Sequence, residues 1–393
     1  MTLTETPYPV VRLSRPFKLS HPWIFSRLVL KPEGRIPPGT VVDVVGPDGA
    51  FVGRGFYNAR TRIGVRILTT DQNEPIDRAF FARRIGEAVR LRRDQLALFG
   101  RTNALRLVHS EGDRLSGLIV DLYGDVLALQ YFAAGMFRMR ETIMDVLKEC
   151  FPSARFYWFA EARVQKQESF DCWEVPRPEP VVIEEQGVRF HVAVGSMHKT
   201  GFFTDQRDNR LAIGRLAGPP TRVLDLCCNT GGFALYAKVL GKAAEVTAID
   251  LDDEALKVAR ANAALNDVEI DFQAADIFAW LQSAATRGDS YDLVVLDPAK
   301  QTRSAERVDG ALAQYFGMNR LAMQVVKKGG ILLTCSCSGL ITEEQFLDVI
   351  RRAAHVSGRH AQIFQVSGAA EDHPFLANVP ESRYLKAVYC RVL

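Results

Sequence analysis

Apolar positions change period several times along the chain, and the changes mark out its elements. From Val10 to Thr70 short apolar stretches alternate with turn signals. Pro-Pro-Gly at 37–39 and Pro-Asp-Gly at 47–49 separate strand-like runs such as Thr40 to Val45 and Ile63 to Leu68. This pattern predicts a small β-barrel. After Pro75 the period becomes helical from near Asp77, with Phe81, Ile85, Ala88 and Leu96 near one face. The six arginines between Arg78 and Arg93 occupy other positions, which predicts a solvated surface. The runs GLIVDLY and VLALQYF flank Gly124-Asp125, a hairpin signal. A helix from Met136 to Cys150 and a strand from Arg155 to Phe159 complete a mixed α/β unit.

The segment Val175 to Pro180 (VPRPEP) is the best linker candidate. Beyond Pro219 the pattern changes again. Buried-strand runs Arg222 to Leu226, Glu245 to Ile249, Leu293 to Leu296 and Gly330 to Thr334 alternate with helical segments, which predicts a doubly wound parallel sheet. The expected domains are 1–72, a barrel; 73–175, a central α/β domain; and 181–393, a Rossmann-like domain.

At 393 residues and 47% hydrophobic, the chain can bury more than one core. The polar start MTLTETPYPVVRLSRPFK carries no secretory signal, and an apolar run of membrane-spanning length is lacking. A cytoplasmic protein without membrane partners is expected. Seven cysteines, without a CxxC pair, and scattered histidines give no metal signature. Neither structural disulfides nor a metal site is expected. Residues 1–70 hold ten Lys/Arg against four Asp/Glu, whereas the whole chain carries only +3. A basic module on a slightly acidic body suits a polyanion, although a solvated basic face fits the charge equally well.

The strand Val223 to Leu226 runs into Cys227-Cys228-Asn229-Thr230-Gly231-Gly232-Phe233 and then a helix. Ligands of open α/β sheets bind beyond the carboxyl ends of the strands, where glycines admit close backbone approach. The GxGxxG dinucleotide pattern is absent from this loop. Asp250 ends the next strand, where a carboxylate can accept two ribose hydroxyl protons, and Asp276 ends the third near an adenine edge. An acid after a strand is also the usual helix N-cap; in this order the set resembles the donor site of class I methyltransferases. The fourth strand ends in Asp297-Pro298-Ala299-Lys300 and the fifth in Cys335-Ser336-Cys337-Ser338-Gly339. C5 of a pyrimidine is not a nucleophile unaided. A thiolate adding to C6 makes C5 electron-rich enough to take a methyl group, so a cysteine at this strand end narrows the reaction. The plain alternative for Cys337 is a small buried residue.

HPWIFSR, the segment Lys199 to Arg210 (KTGFFTDQRDNR), the TGGF loop, Asp297-Pro298, SCSG and the tail EDHPFLANVPESRYLKAVYCRVL together resemble the bacterial ribosomal RNA cytosine-C5 methyltransferases with an N-terminal PUA domain. The resemblance covers nearly the whole chain. It implies a PUA barrel, a central α/β domain and a Rossmann-like methyltransferase domain, with S-adenosylmethionine as cofactor and 23S ribosomal RNA as substrate. A homodimer is also entertained. On this resemblance Asp225, Asn229 and Gly231 shape the donor pocket, Asp250 holds the ribose and Asp276 the adenine. Asp297 contacts the target base and borders the donor, Cys337 is the nucleophile, and Gln206, Arg207 and Arg210 close the pocket. Pro298 and Lys300 are further substrate-side residues. The chain departs from the usual family pattern at Ala299 and Gln301, at Cys335 where an aromatic is common, and at Cys227-Cys228-Asn229. Ala299 and Gln301 bear on which base is chosen. Methylation of uracil C5 or of a base nitrogen remains an alternative, as does a non-catalytic ribosome-assembly factor. A small-molecule methyltransferase would not require the basic barrel.

Overall fold

The computed structural model describes residues 8–18, 20–196 and 200–393. Lys199 of the KTGFFTDQRDNR segment and residues 1–7 of the expected barrel lie outside them. Two compact units emerge, and they interleave along the chain. The first comprises Met1–Val181, Val192–Phe202 and Asp372–Ser382; the second comprises Val182–His191, Phe203–Glu371 and Arg383–Leu393.

In the first unit a five-stranded sheet runs in the order Val10–Arg12, Thr40–Val45, Phe51–Tyr57, Ile63–Thr69, Trp23–Phe25. A bridge between Leu13 and Val29 extends the pairing. Inward residues such as Val11, Ile24, Val42, Val44 and Val65 form its core. A four-stranded sheet, Ala104–His109, Leu118–Tyr123, Val126–Tyr131 and Arg155–Phe159, carries a second core. Phe56 and Leu68 of the barrel strands belong to that second core, which is why barrel and α/β layer form one unit. The approach is close at Gly135, where a Cβ would stand 2.0 Å from the Phe56 ring.

The expected helix near Asp77 is Arg78–Arg90, with the Asp77 carboxylate accepting the Phe80 N–H. Its arginines are not all solvated. A wider π-turn at Leu91–Gln95 shifts the helical phase and turns Arg92 inward, fully buried. Arg92 makes paired bonds of 2.6 and 2.8 Å to Asp113 and donates to the carbonyls of Ala88, Arg106 and Asp372. Arg84 is buried as well. The single helix expected from Met136 to Cys150 is two, Ala134–Arg138 and Arg140–Cys150, broken at Met139.

The second unit is built on seven strands: β1 Arg222–Leu226, β2 Glu245–Asp250, β3 Asp271–Ala274, β4 Tyr291–Leu296, β5 Val326–Ser336, β6 Ala361–Ser367 and β7 Lys386–Val392. Their spatial order is β3-β2-β1-β4-β5-β7-β6. The first five strands are parallel and β7 is antiparallel to both neighbours. The order reverses at β1, so a crevice opens beyond the carboxyl ends of β1 and β4. Between the strands lie helices α1 Gly232–Val239, α2 Asp253–Leu265, α3 Ile277–Arg287, α4 Val308–Val325 and α5 Glu343–Val356. One face of the sheet packs on α3, α4 and α5 through Leu281, Tyr315, Leu321, Phe346 and Ile350. Fully burying one such side chain contributes about 1.5–3 kcal/mol. Among the described residues no helix is long and apolar enough to cross a membrane. A hairpin that the sequence reading did not anticipate, Val181–Glu185 and Val188–Val192, turns at Gln186-Gly187, both in the left-handed region.

Candidate functional site

The candidate side chains sit at or within two residues of the carboxyl ends of the parallel strands. Asp225, one residue from the end of β1, is fully buried, and its Oδ2 accepts the Ala234 N–H at 2.9 Å. It thereby satisfies the first turn of α1, whose N-cap Gly231 has no side chain to do so. Gly231 adopts φ +82°, and a Cβ there would also press on Phe272 at 3.3 Å. Cys227 and Asn229 share the left-handed conformation, so the loop turns sharply on leaving β1.

Asp250 ends β2. Its Oδ2 accepts the Asn229 N–H at 2.7 Å and its Oδ1 the Asp252 N–H at 2.9 Å. A carboxylate oxygen accepts about two hydrogen bonds, so each retains acceptor capacity. Asp276 sits beyond β3, exposed, and caps α3 through Oδ1 to Phe278 and Ala279. The capping role expected of an acid after a strand is thus realised there.

The carboxylates reinforce one another. Burial first, then the charges of Asp297 and Asp250, push the Asp225 carboxyl up to about 8. Burial, followed by the charges of Asp250, Asp297, Asp225 and Asp276, also drives the Cys227 thiol up, so the acids around the loop disfavour a thiolate there. Among the described residues Asp225 Oδ1 is buried with no hydrogen-bond partner. A buried acceptor without a partner costs about 1–3 kcal/mol, and a polar ligand would relieve that cost. A donor molecule bearing a ribose diol and a sulfonium charge suits this arrangement.

Asp297 lies one residue past β4, and its N–H donates to Leu226 O at 3.3 Å across the strand ends. Its Oδ2 accepts Gln206 Nε2 at 2.9 Å. Gln206 Oε1 in turn accepts Asn209 Nδ2 at 2.7 Å, and Asn209 Oδ1 accepts the hydroxyls of Ser367 and Tyr389. The chain of amides fixes the carboxylate's direction. Arg207 and Arg210 are almost fully buried, which a salt-bridged surface loop would not be. Arg210 Nε donates to Glu185 at 2.9 Å, Nη1 donates to Phe203 O, and the guanidinium lies 5.8 Å from the Tyr236 ring. Pro298 is buried; Ala299 and Lys300 are exposed.

Cys335 and Cys337 differ sharply. Cys335 is wholly buried within β5, opposite Ala387, and burial pushes its thiol well above the usual range. Cys337 follows the strand, half-buried, with Sγ 4.0 Å from Pro298 O. The sequence reading missed Lys386, at the start of β7 opposite Ser336. Its signal was available: Lys386 shares the strand's alternation with buried Val388, Cys390 and Val392, where a lysine is out of place. The Glu185 partner of Arg210 left no comparable trace. Among the described residues no cluster of three or more His, Cys, Asp or Glu could hold a metal.

Known proteins share this organisation. Residues 12–70 match a family of PUA-like domains, and residues 218–377 match a methyltransferase domain family. A methyltransferase of Streptococcus mutans described as SAM-dependent superposes with TM-score 0.79 at 18% identity, covering 98% of this chain and 100% of that one. SMU.776, described as a methyltransferase and complexed with SAH, superposes with TM-score 0.80 at 19% identity over 98% of this chain and 99% of its own. Those identities speak for fold alone. Ribosomal RNA large subunit methyltransferase I of Escherichia coli is 37% identical over 381 residues, spanning 95% of this chain and 96% of the relative. The Salmonella arizonae protein of the same name is 36% identical over 398 residues, 98% of each chain. At that identity and coverage, the chain belongs to the ribosomal RNA large subunit methyltransferase I family.

Proposed function

We propose that this protein methylates C5 of a cytosine in 23S ribosomal RNA in the cytoplasm, taking the methyl group from S-adenosylmethionine, with Cys337 as covalent nucleophile. The observation that carries the reading is the half-buried Cys337 thiol beside Pro298 O, next to Asp297, at the rim of a crevice bordered by carboxylates. Asp250 binds the ribose through its remaining acceptor sites, and Asp225 presents Oδ1 to the donor. Asn229 and Gly231 shape the loop, and Asp276 keeps one oxygen for the adenine side while capping α3. S-adenosylmethionine supplies an electrophilic methyl group and leaves as the thioether.

The Cys337 thiolate adds to C6 of the base, forming the S–C6 bond and shifting the electron pair of the C5–C6 double bond onto C5. After C5 is methylated, loss of its proton to a base returns that pair, breaks S–C6 and restores the thiolate. Asp297, directed by Gln206, holds the base through its exocyclic amino group. Pro298 walls the base pocket, and exposed Lys300 meets the RNA backbone. Arg207 and Arg210 act from within, Arg210 by pinning the segment after Phe203 to Glu185.

The reading is tested by incubating purified protein with isotopically labelled donor and either free 23S RNA or assembled large subunits, then digesting the RNA and identifying the nucleoside by mass. Labelled 5-methylcytidine is expected. Labelled 5-methyluridine or an N-methylated base would overturn the cytosine-C5 assignment.

A further inference from the structure

Resting on the reading of Cys337 as nucleophile, the geometry points to Lys386 as the buried cation that sets the reactivity of that thiol. Lys386 is only 4% exposed. Its ammonium is held by two backbone acceptors, donating to Ser338 O at 2.7 Å and to Tyr384 O at 2.9 Å. Ser338 immediately follows Cys337, so the Nζ is fixed one residue from the thiol. An ammonium has three N–H bonds, and these two carbonyls occupy two of them.

The neighbours make the cation consequential. The charged groups that act on Lys386 are Cys337 after β5, Lys300 after β4, Arg383 before β7 and Glu343 at the start of α5. Burial lowers its affinity for a proton most, bringing it to about 8, and the charge that most opposes this is a thiolate at Cys337. The charge of Cys337 also reaches Cys335 and the Tyr315 hydroxyl, both of which lie in the field of Asp297 as well. The Asp297 carboxylate disfavours a thiolate, so the nucleophile needs a compensating positive charge. Lys300 and Arg383 are exposed and screened by solvent, whereas Lys386 is neither. A bland alternative is that Lys386 merely ties the Ser338 turn to β7. That role needs hydrogen bonds but not charge.

The two roles separate in the pH profile of thiol alkylation. Full-length protein is treated with iodoacetamide across pH 6 to 10, and the Cys337 peptide is followed by mass spectrometry. Lys386→Gln keeps a donor for the two carbonyls but removes the charge. It should raise the pH midpoint for Cys337 by roughly 1 to 2 units, in line with the loss of an opposite charge nearby. Lys386→Arg should restore most of the shift. An unchanged midpoint in folded Lys386→Gln, or an equal rise in Lys386→Arg, would overturn the inference. Should Lys386→Gln fail to fold, the wild type decides: a midpoint below the ordinary thiol value of about 8.5 supports the inference, and one at or above it refutes it. The profile needs no RNA. A wild-type protein that shows the coupling but forms no RNA adduct would fail the nucleophile assignment while leaving the Lys386–Cys337 coupling intact.

Discussion

Removing the Asp250 carboxylate should weaken donor binding by roughly 30- to 150-fold. Both oxygens already accept a backbone N–H, from Asn229 and from Asp252, and each has one further acceptor site. A vicinal diol offers two O–H donors to those sites. Charge-assisted hydrogen bonds contribute about 1.5–3 kcal/mol each in favourable cases. Asp250 is half-exposed, so a combined loss of about 2–3 kcal/mol is the reasonable expectation, which converts to the stated change in Kd. Isothermal calorimetry with S-adenosylhomocysteine measures it. Because Asp250→Ala also frees the loop N–H groups, a 2′-deoxy analogue isolates the ribose contact: wild type should bind it more weakly than the parent, whereas Asp250→Ala should scarcely distinguish the two. Asp252 supplies a neighbouring control, since its carboxylate caps α2 at Glu254 and Ala255. Asp252→Ala should lose about 1 kcal/mol of stability and bind the donor normally. If Asp250→Ala discriminates between the two ligands as strongly as wild type, Asp250 is a loop brace and not a ribose ligand.

Asp225 should make stability depend on pH. Its folded value, about 8, lies above the ordinary carboxyl value of 3.8, so folding takes up a proton between the two. Its contribution is fully present below pH 3.8 and is lost as pH rises toward 8, at no more than about 1.4 kcal/mol per pH unit. Relative to wild type, Asp225→Asn should flatten that part of a urea-unfolding series; parallel curves would show an ionised Asp225. Arg210→Leu leaves the buried Glu185 carboxylate without its cation and should cost about 3–5 kcal/mol, read by denaturant unfolding, with a loss under 1 kcal/mol contradicting the pairing. On the barrel, Arg27 and Arg62 flank the Phe25 ring, each guanidinium 5.9 Å from its centre. Neutralising Arg27 and Arg62 together should flatten the log K versus log salt slope for RNA by about 1.4, at roughly 0.7 per phosphate contact; an unchanged slope would make this face merely solvated.

Much of the fold was legible because period and punctuation agreed. Thr40–Val45, Arg155–Phe159 and Arg222–Leu226 appear with the bounds their alternation and turn residues suggest. The helix after Asp77 begins where its capping chemistry starts. What escaped was set by contacts distant in sequence. Arg92 looked like surface because a π-turn is invisible to a 3.6-residue period, and its partner Asp113 lies beyond the helix. The hairpin around Gln186-Gly187 was hidden by the Pro-rich segment before it. In the site, the strand-end acids Asp225, Asp250, Asp276 and Asp297 could be read in order because a doubly wound sheet places strand ends together. The bracing of Asp297 by Gln206 could not, since nothing in the KTGFFTDQRDNR segment indicates which strand it faces. Nor does sequence distinguish Cys335 from Cys337 beyond their distance along the strand; burial does, with Cys335 inside β5 and Cys337 past its end.

The most direct test of the account is trapping on RNA that carries 5-fluorocytidine at the target. The C5 fluorine cannot leave as a proton does, so the S–C6 bond persists after methyl transfer. Wild type and Cys335→Ala should each give a protein–RNA band that resists denaturant and requires the methyl donor, and Cys337→Ala should give none. A band that persists in Cys337→Ala and disappears in Cys335→Ala would contradict the assignment of the nucleophile, and methylation without a band in any variant would reject covalent cytosine-C5 chemistry.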